Sequence, residues 1–187
     1  MPVEECGNML IMTLAYAQRT NDIAYLNQHY QKLSQWTSFL INDSLVPSNQ
    51  LSTDDFAGRL VNQTNLALKG IIGIGAMAEI ARLTGNTQDA ANFTAISKDY
   101  VATWQTLGIS KGSPGLLDHM TLSYGDLASH GLLYNLWCDL ELGLGLVPKG
   151  IYDMQSQFYP TQEMKYGVPL DTRHAYTKGM FDTGEDE

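Results

Sequence analysis

The side chains in this sequence best suited to chemistry are carboxylates, and they come in pairs. Glu4 and Glu5 open an apolar segment, and Asp54 and Asp55 sit in Leu51-Ser52-Thr53-Asp54-Asp55-Phe56-Ala57-Gly58. Asp118, His119, Tyr124, Asp126 and His130 are spread along a third stretch, and Asp171, Arg173 and His174 close Pro169-Leu170-Asp171-Thr172-Arg173-His174. Two carboxyl groups facing one substrate can share the roles of general base and general acid on a neutral bond, such as an amide or a glycoside. Each residue also has a plainer use. Acids in a first helical turn complement the helix dipole, and a loop aspartate can cap a turn.

Other chemistries lack their residues. The chain has no G-x-S-x-G, no H-E-x-x-H and no phosphate loop. Gly70-Ile71-Ile72-Gly73-Ile74-Gly75 is not a dinucleotide fingerprint, and it lies inside an apolar helix, where glycines let a neighbouring backbone approach. The histidines are far apart and none has ligand-pair spacing, so neither a metal nor a cofactor is expected. Cys6 and Cys138 are the only cysteines and read as free thiols. Cys6 stands beside a helix N-terminus, where a thiolate is favoured, but nothing else supports a nucleophile there.

The elements that must position these residues are helices. From Asp22 to Ile41 the apolar positions Ile23, Leu26, Tyr30, Leu33, Thr37 and Leu40 recur every three or four residues, which predicts an amphipathic helix capped by Asn21 or Asp22. Segments 3–19 and 64–84 are apolar on nearly every side, as buried helices are. A third buried helix is expected from Leu127 to Leu142, with a more polar helix over 87–106 and an outer segment over 150–159. Buried and outer helices therefore alternate. Ala17-Gln18-Arg19-Thr20 is echoed by Ala81-Arg82-Leu83-Thr84, a weak internal repeat with one hairpin per unit. Turns from buried to outer helices are short, and the returns, 42–62 and 107–126, are long. In antiparallel hairpins all the long loops then fall at the end where the buried helices start. The four acidic groups fall at that end, where loops on a rigid scaffold usually carry function.

Composition narrows the partners. The formal charge of −9 and the scattered Lys and Arg residues exclude a nucleic-acid surface, and no apolar run is long enough for a spanning helix. The N-terminus lacks the basic flank and apolar core of a signal peptide. Sequons at Asn42, Asn62 and Asn92 lean towards an exported glycoprotein.

Several stretches resemble signatures of the fungal glutaminase A family. They are Met1 to Leu10, Leu51 to Gly58, Asn62-Gln63-Thr64-Asn65-Leu66-Ala67-Leu68-Lys69-Gly70-Ile71, Gly131-Leu132-Leu133-Tyr134-Asn135-Leu136 and Tyr166 to His174. The resemblance implies an all-α core of consecutive antiparallel hairpins, part of an (α/α)6 toroid with its funnel at the N-terminal ends of the inner helices. It also implies extracellular proteins that hydrolyse L-glutamine to L-glutamate and ammonia. The family-like region is expected over 1–178, followed by an acidic, disordered tail over 179–187. The chain matches about half of the hairpins of such a toroid, which suggests a fragment or a shortened paralogue that self-associates through exposed flanks of inner helix. Glu4, Glu5, Asp54 and Asp55 are the expected catalytic carboxylates, and Asp171, Arg173 and His174 the expected substrate-binding group. The alternatives are a carbohydrate-active hydrolase on the same fold, with Trp or Tyr as sugar platforms, and a non-catalytic binding or assembly protein.

Overall fold

The computed structural model describes residues 2–53, 57–111 and 114–174. The described residues form an all-α chain of six α-helices in three consecutive hairpins. Helices α1 (Val3–Thr20) and α2 (Ile23–Asp43) make the first, α3 (Thr64–Leu83) and α4 (Thr87–Gly108) the second, and α5 (Leu136–Glu141) and α6 (Lys149–Phe158) the third. The expected tail at 179–187 lies outside the described residues.

Local chemistry sets the helix ends. Asn21 takes a left-handed conformation (φ 56°) that stops α1, and the Asp22 side chain accepts the Tyr25 N–H at 3.0 Å to start α2. Gly85, at φ 78°, makes the matching turn between α3 and α4. Side-chain contacts then fix direction. Tyr30 Oη donates to Asp89 at 2.7 Å and Tyr100 Oη to the Ile41 carbonyl at 2.6 Å, so the outer helices α2 and α4 run parallel. On the inner side Val3 packs at Gly70 and Gly7 at Gly73, so α1 and α3 also run parallel.

Helix α3 is the buried spine, and every residue from Thr64 to Ala78 is buried. A Cβ added at Gly73 would lie 3.1 Å from the Gly7 Cα, so close backbone approach explains that glycine. At Gly70 and Gly75 the space is taken instead by side chains, Ser44 and Leu146 respectively.

Helix α1 is less buried than its composition suggests. Met9, Met12 and Tyr16, seven residues or fewer apart along one stripe, are exposed, together with Trp137 and Leu140 of α5. The two stripes meet where Arg19 pairs with Glu141 and Gln18 Nε2 donates to the Leu142 carbonyl at 2.9 Å.

The third buried helix is a correction. Only Leu136–Glu141 is helical; 127–128 and 134–135 are turns, and Gly131 between them forms an isolated bridge with Asp171. The backbone here bonds elsewhere: Leu132 N–H donates to the Leu170 carbonyl at 2.9 Å, and Thr172 N–H to the His130 carbonyl at 3.0 Å. A segment whose donors and acceptors serve a distant stretch of chain cannot also close helical turns. A two-stranded ribbon, β1 (Ile109–Ser110) against β2 (His119–Met120), also forms inside the second long return.

Candidate functional site

The first turn of α1 carries a buried ionic network. Glu4 is 7% exposed and Lys69, one turn after Asn65 on α3, is 6% exposed. Lys69 Nζ lies 3.4 Å from Glu4 Oε1 and donates to Asn8 Oδ1 at 2.6 Å. The same Glu4 oxygen accepts from Asn8 Nδ2 at 3.1 Å and from Thr53 Oγ1 at 2.5 Å. Gly7 makes this geometry feasible, because a Cβ there would sit 2.7 Å from Lys69 Cγ. The lysine stem therefore crosses α1 where α1 has no side chain.

Beside this network lies a narrow cleft of about 20 Å³. Its polar wall is Ser52, Gln63, Asn65, Thr121, Asp171 and Arg173, and leucines supply most of the rest. Asn65 is held by Asn135, whose Nδ2 donates to the Asn65 carbonyl at 2.8 Å. Asp171 is buried and paired to Gly131 through a backbone bridge. Its carboxylate accepts the Arg173 N–H at 2.8 Å on one oxygen, and Arg173 Nε (3.1 Å) and Nη2 (2.6 Å) on the other. His174 Nδ1 lies 3.6 Å from Asp171 Oδ1.

Behind the cleft, the second long return is organised by aromatic stacking. The buried His119 ring lies on Phe158 at 4.3 Å, and His130 meets the pair edge-on, 6.1 Å from His119 and 5.1 Å from Phe158. Burial, then the neighbouring His119, push the His130 imidazole below its ordinary range, while Asp171 and Gln162 pull the other way. Among the described residues no group of three or more potential ligands gathers to hold a metal.

The structure thus brings Asp171 and Arg173 to one cleft, with His174 against Asp171. Glu4 stands next to it through Thr53, the neighbour of the cleft residue Ser52. Glu5 is exposed and takes no part in the Glu4 network. Asp54 and Asp55 lie outside the described residues, although Ser52 and Ala57 on either side of them both line the cleft. Asp118 and Asp126 are exposed, and Tyr124 Oη donates to the Leu45 carbonyl at 3.0 Å. Cys6 and Cys138 are free, and burial pushes both thiols above their ordinary range, which disfavours the thiolate expected of a nucleophile. Sequence reasoning missed Lys69, Gln63 and the Asn65–Asn135 pair. A lone lysine in a helix apolar on all sides was the available signal, since such a charge is buried only when paired.

The family model for the glutaminase A six helical-hairpin domain matches residues 1–183. The chain belongs to this family. Within it, "Glutaminase A" of Aspergillus oryzae (strain ATCC 42149 / RIB 40) is 63% identical over 178 residues, 95% of this chain and 26% of the relative. "Probable glutaminase/05536" of Arthroderma benhamiae (strain ATCC MYA-4681 / CBS 112371) is 39% identical over 261 residues, 95% of this chain and 30% of the relative. The chain therefore spans under a third of the length of either relative. No helix among its described residues is long and apolar enough to cross a membrane.

Proposed function

We propose that this chain forms part of a hydrolase acting on the side-chain amide of L-glutamine, giving L-glutamate and ammonia. The observation that carries the proposal is the meeting at one rim of the first turn of α1, the Ser52–Thr53 segment, the start of α3 and the Asp171–Arg173 pair. The family relatives named glutaminase supply the substrate. In the reaction a water oxygen bonds to the amide carbon, the C–N bond breaks, and ammonia leaves with a proton from an acid. Glu4, Glu5, Asp54 and Asp55 are the candidate carboxylates for the two proton transfers. Among the described carboxylates, Glu4 is the one fixed to the Ser52–Thr53 segment. Arg173, with one edge held by Asp171 and a quarter of its side chain exposed, is oriented to grip the substrate's α-carboxylate.

Ammonia release from L-glutamine by the purified chain, beside a full-length relative, tests this. The expected result is release that falls at least tenfold in Glu4→Gln and shows a raised KM in Arg173→Met. Reducing sugar released from glycans instead would move the assignment to a glycoside hydrolase. No product from either substrate would leave a non-catalytic protein.

The exposed stripe supports a second proposal, self-association. Met9, Met12, Tyr16, Trp137 and Leu140 have the Met- and aromatic-rich composition of interface centres, and large apolar patches seldom stay in water. Sedimentation should show a concentration-dependent dimer that Met12→Glu with Trp137→Glu returns to monomer. A monomer at every concentration would refute it.

A further inference from the structure

The cleft beside the Glu4 network holds one amide group whose partners are incomplete. Gln63, at the foot of α3, is 7% exposed and lines the cleft. Its Nε2 donates to Ser52 Oγ at 3.3 Å. Its Oε1 is buried and has no hydrogen-bond partner among the described residues. A buried acceptor left in this state is costly, so a site that keeps one is suited to a ligand that brings an N–H or O–H. The space beside it is small. A cavity of about 20 Å³ admits a group the size of one water and little more, and Leu122, Leu132, Leu133 and Leu170 close the wall. An unsubstituted amide nitrogen fits both limits, because it is water-sized and carries two N–H donors. A nitrogen bearing an alkyl group has one donor fewer and is too large.

We propose that Gln63 is a specificity-determining residue, whose side-chain oxygen accepts from the unsubstituted carboxamide nitrogen of the substrate. This rests on the glutamine reading above and narrows it to primary amides. Ser52 is then a positioning residue, acting only through Gln63.

The experiment compares L-glutamine with its N5-methyl derivative, together with binding of propionamide and N-methylpropionamide followed by ligand-observed NMR. The wild-type chain is expected to favour the unsubstituted member of each pair by at least tenfold. Gln63→Met, close in volume but without the acceptor, should lose the preference by weakening the primary amide. Gln63→Ala should lose it by admitting the N-methyl compound, and circular dichroism of both variants checks the fold. Equal handling of the two amides by the wild type, or an unchanged preference in Gln63→Met, overturns the proposal. If no glutamine is turned over but propionamide still binds with the stated preference, the reaction assignment fails and the amide site stands. If neither amide binds, the site falls too. Occupation of the cleft by an ordered water only, in a crystal soaked with propionamide, would count against it equally.

Discussion

Lys69→Met will destabilise the protein by about 3–5 kcal/mol, because it leaves the Glu4 carboxylate buried without its counter-charge. Thr53 and Asn8 would still donate to Glu4 Oε1, but two neutral hydrogen bonds do not replace an ammonium in a place with little access to water. The methionine stem follows the lysine methylenes past Gly7, so the loss would be electrostatic rather than a packing defect. The double variant Glu4→Gln with Lys69→Met should therefore recover most of the loss, since removing both charges of a buried pair is far milder than removing one. Urea unfolding midpoints for the wild type, both single variants and the double form a cycle that measures this. If the two single losses simply add in the double variant, the residues are not coupled and the network has been misjudged.

Trp104→Ala should cost a similar amount, about 3–5 kcal/mol, for a different reason. Trp104 is fully buried near the C-terminal end of α4, and its Nε1 donates to the Thr64 carbonyl at 2.9 Å. Truncation removes a large apolar surface and opens a hole between α4 and the foot of α3. Trp104→Phe keeps much of the volume and loses the hydrogen bond, for which about 1 kcal/mol is expected. Thermal or denaturant melts separate the two variants. Equal losses would mean that the hydrogen bond, and not the packing, holds the junction.

The first four helices were legible because their apolar spacing is long and regular, and the structure places their ends within about two residues of the reading. Segment 127–142 misled for a physical reason. Leu127, Leu132, Leu133 and Leu136 give an apolar run, but the run is short and the bonds of its backbone go to 170–172, which no local pattern reports. The alternation of short turns and long returns was enough to bring the Asp171 group and the start of α1 to one end. It could not show which polar side chains meet there. Lys69 and Gln63 are single polar residues beside apolar ones, and their partners, Glu4, Asn8 and Ser52, lie far away in sequence.

Helix α3 makes contact with α1, α2, α4 and α5. A stack of modules that touch only their nearest neighbours can shed an end unit and keep the remainder. Here the first and third hairpins also touch each other, through Arg19–Glu141 and Gln18–Leu142, and both lean on the same central rod, so opening it would expose the interior of each at once. Drift in the sequence is constrained in the same lopsided way. The loops at the mouth can lengthen or change character, whereas a Cβ at Gly70 would collide with Ser44 Cβ and one at Gly73 would press on the Gly7 backbone.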